Sequence, residues 1–85
     1  MSRIEKLRKK FYKIPVPNDI TFREAETFMT HHGCKVISGG KHSKIVHKES
    51  NTIIPVPRHG KYIEESYVRQ IKKLYEYIME GEHHG

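Results

Sequence analysis

With 85 residues, the chain is long enough for one small domain, near the lower end of what a single hydrophobic core can stabilise. Hydrophobic residues make up 35% and charged residues 31%, and no apolar run could span a bilayer or act as a signal peptide, which excludes disordered and membrane-spanning classes. The net charge of +6 favours polyanionic ligands, nucleic acid first. We expect a cytoplasmic protein, because the single Cys34 has no cysteine partner for a disulfide or a metal knuckle.

The first twelve residues carry three apolar side chains at helical spacing among lysines and arginines: Ile4, Leu7 and Phe11. This spacing predicts a short amphipathic helix over residues 2–12. Pro15 and Pro17 then exclude a helix, because each lacks a backbone donor and disfavours helical geometry in the preceding residue. We therefore assign residues 1–19 to an N-terminal helix and a proline-containing connector.

A second helix begins at the sequence Thr21-Phe22-Arg23-Glu24. This is the pattern of a capping box, in which the threonine hydroxyl and the glutamate carboxylate each accept a hydrogen bond from the other residue's backbone N–H. Four apolar residues then fall on one helical face: Phe22, Ala25, Phe28 and Met29. Gly33 is placed to take the left-handed conformation that ends the helix.

Three short strands follow, at about residues 34–38, 41–48 and 52–56, separated by Gly39-Gly40 and by a polar turn. Connections this short require an antiparallel meander. Pro55 and Pro57 predict that the third strand lies at an edge of the sheet. Polar and apolar residues are mixed on both faces of the middle strand, so alternation does not assign its buried face.

The last helix has the most regular pattern of the chain, with apolar residues at three- and four-residue spacing: Tyr67, Val68, Ile71, Leu74, Tyr75, Ile78 and Met79. We predict Ser66 as its N-cap and Gly81 as its end, followed by a flexible tail at residues 81–85. The fold class is α+β in the order α-β-β-β-α. We expect a three-stranded antiparallel sheet with two helices on one face, over residues 20–80, and the extra N-terminal helix.

Four roles are compatible with His42, which begins the middle strand after a glycine turn. It could be a structural histidine that only hydrogen-bonds. It could be a metal ligand with His47 or His59 and a carboxylate, although strand parity places His42 and His47 on opposite faces of the sheet. It could be a general acid-base catalyst, because histidine titrates near neutral pH. It could also bind RNA without chemistry.

Several basic residues surround His42 in the sequence and suit a phosphodiester ligand: Lys41, Lys44, Arg58 and Lys61. Their charges could stabilise negative charge on nonbridging phosphate oxygens. RNA would supply its own 2′-hydroxyl as nucleophile, so no activated side-chain nucleophile is required. Arg58 is either a phosphate anchor or a solvated surface residue, and His59 is either a second proton donor or a residue that stabilises the turn before Gly60.

Four segments of the chain resemble the HicA toxins of bacterial toxin-antitoxin modules: His-Gly-Cys at 32–34, Gly-Gly-Lys-His at 39–42, Ile-Ile-Pro-Val-Pro-Arg-His-Gly at 53–60 and Tyr-Val-Arg-Gln-Ile-Lys-Lys-Leu at 67–74. The resemblance covers roughly residues 20–79. It implies a fold like that of double-stranded-RNA-binding domains, mRNA-cleaving (mRNA interferase) activity in a type II toxin-antitoxin system that responds to stress, and a HicB-like antitoxin as partner.

The same resemblance implies that His42 is the catalytic residue, because the family carries the turn Gly-Ser-His where this chain has Gly40-Lys41-His42. Lys41 replaces the serine and could contact phosphate in its place. The implied cleavage needs no metal and no small-molecule cofactor. We expect RNA contacts from six residues: Lys41, Ser43, Lys44, Arg58, His59 and Lys61. The alternative is a noncatalytic RNA-binding module of the same fold.

Overall fold

The computed structural model describes residues 2–58 and 60–84, which form three α-helices and three β-strands. Helix α1 spans Arg3–Phe11, α2 spans Phe22–His31 and α3 spans Glu65–His84; strand β1 spans Lys35–Gly39, β2 spans His42–His47 and β3 spans Thr52–Pro57. The α+β class, the order α-β-β-β-α and the additional N-terminal helix are thus confirmed. The predicted strand ends agree with the observed ones to within one residue. None of the described helices is long and apolar enough to cross a membrane.

The three strands form an antiparallel sheet in the order β1-β2-β3, so β3 is an edge strand as its prolines predict. In β2 the side chains of Ser43, Ile45 and His47 are buried, whereas His42 and Lys44 are exposed. Helices α2 and α3 contact β1 and β3, respectively. The sheet therefore has a buried face covered by helices and an open face that carries His42.

The hydrophobic core lies between the buried sheet face and the helices, and its largest fully buried apolar side chains are Phe11, Phe28, Ile20, Met29, Ile45, Ile71, Val56 and Val68. Helix α1 belongs to this packed structure, because the ring of Phe11 stacks on Phe28 of α2 with centroids 5.0 Å apart. Tyr12, the residue after α1, donates a hydrogen bond from its hydroxyl to Glu76 of α3 at 3.0 Å. The N-terminal segment thus packs against both α2 and α3.

Helix α3 differs from its prediction at both ends. It begins at Glu65, and the carbonyl of Glu64 accepts hydrogen bonds from the N–H groups of Tyr67 and Val68, so Ser66 lies in the first turn and is not the N-cap. The helix also continues past Gly81 to His84. A glycine inside a helix costs only about 1 kcal/mol relative to alanine, so the preceding apolar turns can carry the helix through it. The flexibility of residues 81–85 stays a prediction.

Candidate functional site

His42 is the first residue of β2, and its exposed side chain lies on the open face of the sheet. Its direct neighbours across the sheet are Gly39 of β1 and Pro57 of β3. Neither residue has a side-chain group that can hydrogen-bond an imidazole. These two cross-strand neighbours therefore leave the imidazole ring accessible to a ligand.

The turn before His42 is fixed to the end of β3 by the backbone. Gly40 has φ of +47°, a conformation that side-chain-bearing residues rarely adopt, which explains the glycine at this position. The carbonyl of the exposed Lys41 accepts a hydrogen bond of 2.8 Å from the N–H of Arg58. This bond holds the β1–β2 turn beside the segment that follows β3, so the cations of Lys41 and Arg58 come from adjacent stretches of backbone.

A small groove of about 230 Å³ opens between the start of α2 and the segment after β3. Three cationic residues line it, Arg23, Arg58 and Lys61, and no acidic residue lines it within the described part of the chain. The guanidinium carbon of Arg58 lies 4.8 Å from the ring centroid of Phe22, a cation–π contact that orients this side chain. The groove thus presents fixed positive charge suited to phosphate groups.

The loop that carries Lys61 is anchored to the chain just before α2. The N–H of Ile63 donates to the carbonyl of Ile20 at 2.9 Å, and Thr21 and Tyr62 form an antiparallel bridge. The Lys61 ammonium lies 5.4 Å from the ring centroid of Tyr62. These contacts set Lys61 on the same groove as Arg58.

The start of α2 is held by an ionised capping box. The Glu24 carboxylate accepts hydrogen bonds of 3.0 Å from the N–H of Thr21 and from the Lys10 ammonium. Partial burial by itself would raise the pKa of Glu24, but the hydrogen bonds from Thr21 and Lys10 and the charge of Lys10 lower this pKa below its ordinary value. The result is a carboxylate that ties α1 to the first turn of α2, next to the groove.

The structure does not place all six of the predicted RNA-contacting residues on one surface. Lys44 is exposed on the same sheet face as His42, two residues along β2. The side chain of Ser43 is fully buried on the opposite face, and its hydroxyl finds no hydrogen-bond partner among the described residues. The structure therefore does not bring Ser43 to the open face with His42, and its RNA contact stays a prediction. The prediction for His59 lies outside the described residues.

His47 takes a structural position. It lies on the buried face, as parity predicts, and its Nδ1 shares a hydrogen bond of 2.7 Å with the Ser50 hydroxyl, which in turn lies 2.7 Å from the Thr52 hydroxyl. This chain of hydrogen bonds satisfies polar groups at the β2–β3 turn. Among the side chains that the structure describes, which are those of residues 2–58 and 60–81, no group of three or more His, Cys, Asp or Glu is arranged to hold a metal ion.

Two residues of the groove were not identified from the sequence. Arg23 and Phe22 were interpreted only as part of the capping segment and of the apolar face of α2. Their position beside Arg58 depends on how the chain folds back after β3, which local sequence patterns do not encode. An exposed arginine inside a capping box gives no signal of its own, so only the tertiary structure brings Arg23 to the site.

His42 is thus exposed on a three-stranded α+β scaffold, and its cross-strand neighbour Pro57 lines the cationic groove. A family model described as the HicA toxin of bacterial toxin-antitoxin matches residues 22–76, well over half of the chain. The chain belongs to this family, and membership implies pairing with an antitoxin. No curated protein and no solved structure matches the chain significantly. Helix α1 lies outside the matched region.

Proposed function

We propose that this toxin is a metal-independent endoribonuclease that cleaves mRNA in the cytoplasm with His42 as its acid-base residue. The observation that carries the proposal is the position of His42, exposed on the open sheet face at the strand start that adjoins the Lys41–Arg58 contact. Family membership supports it, and the turn Gly40-Lys41-His42 resembles the Gly-Ser-His turn in which the family carries its catalytic histidine. In this proposal His42 is the general acid-base group, and Lys41 and Arg58 are the cations that contact phosphate.

In the proposed reaction, His42 removes the proton from a ribose 2′-hydroxyl. The 2′-oxygen then bonds to the adjacent phosphorus, and the bond from phosphorus to the 5′-oxygen of the next nucleotide breaks. The leaving oxygen takes up a proton from the protonated histidine or from solvent. The products are a 2′,3′-cyclic phosphate and a free 5′-hydroxyl, so the step balances without a metal or cofactor. Positioned general acid-base catalysis of this kind contributes about 10²–10⁴-fold.

Cationic side chains near His42 would stabilise the negative charge that develops on the nonbridging oxygens. Lys41 and Lys44 flank His42 along the chain, and both are exposed. Arg58 and Lys61, together with Arg23, would hold flanking phosphates in the groove. Because these contacts address the backbone of RNA, they position the substrate without selecting its base sequence.

The proposed protein partner is a HicB-like antitoxin that covers the open sheet face. This face carries the exposed side chains of Ile37 and Ile53 as well as Lys44 and His42. Burying isolated apolar side chains among cations suits a partner surface that combines apolar and acidic groups. An antitoxin seated there would mask His42 from RNA.

The proposal is tested by expressing the wild type, His42→Ala and His31→Ala in a bacterium and following growth and RNA integrity. His31 is an exposed histidine in the last turn of α2, so its replacement is a matched control. We expect growth arrest and RNA degradation with the wild type and with His31→Ala. His42→Ala should permit growth and leave RNA intact at equal protein levels. Equal toxicity of His42→Ala and the wild type would contradict the proposal.

One feature favours the alternative of a noncatalytic RNA-binding module, namely the lysine at position 41 where the family carries serine. This alternative predicts RNA binding that weakens with salt and survives His42→Ala, with no cleavage products from either protein. A wild type that binds RNA tightly and leaves it intact would therefore assign the chain to this second function.

A further inference from the structure

Helix α1 carries a row of cations along one flank, and within the described residues Lys10 is the member of this row that has an acidic partner, Glu24. Arg3, Lys6 and Lys10 are spaced three and four residues apart, so they lie along one flank of the helix. Arg3 and Lys6 are exposed, as is Lys13 just after the helix. We call these three exposed residues, Arg3, Lys6 and Lys13, the α1 basic stripe.

One side of α1 is packed against the rest of the domain. Leu7 and Phe11 are buried in the core, and Tyr12 contacts α3 through its hydrogen bond to Glu76 and the edge of its ring against Tyr75. The flank that carries the α1 basic stripe is left facing solvent. It is therefore available to a ligand while the helix stays packed on the domain.

Helix stability accounts for only part of the positive charge of α1. Cations in the last turn favour the negative end of the helix dipole, but cations near the first turn oppose its positive end. Arg3 is the first helical residue and Lys6 follows three residues later. Within the described residues, neither has an acidic side chain at ion-pair distance. Their charge therefore costs helix stability slightly, and an external anion is the partner that would offset this cost.

The C-terminal end of α1 is tied to the first turn of α2, and other residues of that turn line the groove. The Lys10 ammonium contacts both carboxylate oxygens of Glu24 at 3.0 Å, and Glu24 is the next residue after Arg23, which lines the groove. The residue on the other side of Arg23, Phe22, contacts Arg58. The first turn of α2 therefore connects the groove to α1, and the Glu24 carboxylate in this turn pairs with Lys10.

We propose that the α1 basic stripe is a second RNA-binding surface, which binds backbone phosphates of the strand that occupies the groove. The helical segment from Arg3 to Lys10 is roughly 10 Å long at about 1.5 Å per residue. Stacked nucleotides rise about 3.4 Å each, so a helical segment of this length spans about three phosphates of the RNA backbone. That the ligand is RNA comes from the proposed function, and the inference rests on the proposed function for this point. Because α1 lies outside the family match, the surface extends the footprint of this particular chain.

The test measures RNA affinity as a function of salt. A triple variant, Arg3→Gln with Lys6→Gln and Lys13→Gln, is made in the His42→Ala background so that RNA stays intact. Affinity for a labelled single-stranded RNA is measured by fluorescence anisotropy between about 50 and 200 mM salt. Each lost phosphate contact lowers the slope of log K against log salt by about 0.7, so the triple variant should lower it by about 2. Circular dichroism should match the parent, because all three side chains are exposed.

The matched control removes three other lysines: Lys35, Lys48 and Lys73. Lys35 and Lys48 lie at the end of the sheet away from His42, and Lys73 lies beside the same end of β3. The net charge changes equally, but we expect the slope to stay within about 0.5 of the parent. An equal fall in both variants would overturn the inference, because the effect would then come from the general field of the protein.

Further outcomes also decide whether the α1 basic stripe binds RNA. If the α1 variant keeps the parent's RNA slope and loses affinity for the antitoxin, the surface belongs to an acidic protein partner and the inference is wrong. The proposed function is judged separately by cleavage with the wild type. If cleavage is absent but the α1 variant still lowers the slope, the nuclease proposal fails and the second RNA surface stands. If the parent binds no RNA, the inference fails whatever the cleavage result.

Discussion

Glu24 is expected to hold α1, α2 and the groove together, and replacing it should destabilise the protein. Glu24→Ala removes the acceptor of the Thr21 N–H and both contacts with Lys10. Glu24→Gln keeps an oxygen for the Thr21 N–H and loses only the charge. The two variants therefore separate the cap from the ion pair.

The expected loss in the free energy of unfolding follows from the contacts of Glu24. Loss of a helix cap costs about 0.5–2 kcal/mol. The ion pair contributes about 0.2–1 kcal/mol, because its side chains are a quarter exposed and solvent screens them. We therefore expect Glu24→Ala to lose about 1–2 kcal/mol, a fall in Tm of about 4–15 °C for a domain of this size, and Glu24→Gln to lose roughly half as much.

The pH dependence gives a second, independent readout. The pKa of Glu24 is lowered in the folded protein, so its contribution is complete above the ordinary value of 4.5 and is lost as the pH falls through the lowered pKa. The stability gap between the wild type and Glu24→Gln should therefore be full at neutral pH and close progressively below about 4.5.

Urea unfolding of the wild type, Glu24→Gln and Glu24→Ala between neutral and acid pH measures both effects. A double-mutant cycle with Lys10→Gln should give a coupling of about 0.5 kcal/mol at neutral pH, which disappears in acid. A Glu24→Ala variant as stable as the wild type, or a gap that widens in acid, would refute this role of Glu24.

Two further predictions concern β2 and the turn before it. Ser43→Ala removes a buried hydroxyl without a described partner, so the free energy of unfolding should stay the same or rise by up to about 1 kcal/mol; a large fall in RNA affinity with an intact fold would show that Ser43 contacts RNA after all. Lys41→Ser recreates the family turn Gly-Ser-His, so cleavage should be retained while RNA affinity becomes less salt-dependent; cleavage gained only in Lys41→Ser would favour the noncatalytic alternative for the natural chain.

Much of the fold could be predicted because local patterns and tertiary structure agree. The capping box at Thr21 forms as predicted, with both reciprocal hydrogen bonds present. Gly33 has φ of +90°, as its position at the helix end requires. The prolines of β3 correctly predicted an edge strand. In each case a short segment carries its own physical constraint.

The buried face of β2 could not be predicted, and the structure explains why. Ser43 and His47 are polar but lie on the buried face, so polar residues occur on both sides of the strand. Alternation then carries no clear signal. This is also why Ser43, which lies between the exposed His42 and Lys44, could not be assigned to the buried face from the sequence.

The candidate site was predicted in part for a similar reason. Lys41 and Arg58 were grouped with His42 because they lie near it or near glycine turns, and the backbone bond between them brings these stretches together. Arg23 depends on long-range packing of the loop after β3 on the start of α2. The predicted end of α3 was too early, because Gly81 was taken as a helix terminator although the apolar turns before it carry the helix on to His84.

The most direct test of the central claim is cleavage of a defined RNA by purified protein in excess chelator. We predict that the wild type cleaves the RNA and leaves 2′,3′-cyclic phosphate and 5′-hydroxyl ends, while His42→Ala is at least about 100-fold slower with an unchanged fold. Loss of wild-type cleavage on chelation, or a His42→Ala variant that cleaves as fast as the wild type, would contradict the claim that His42 performs metal-independent cleavage.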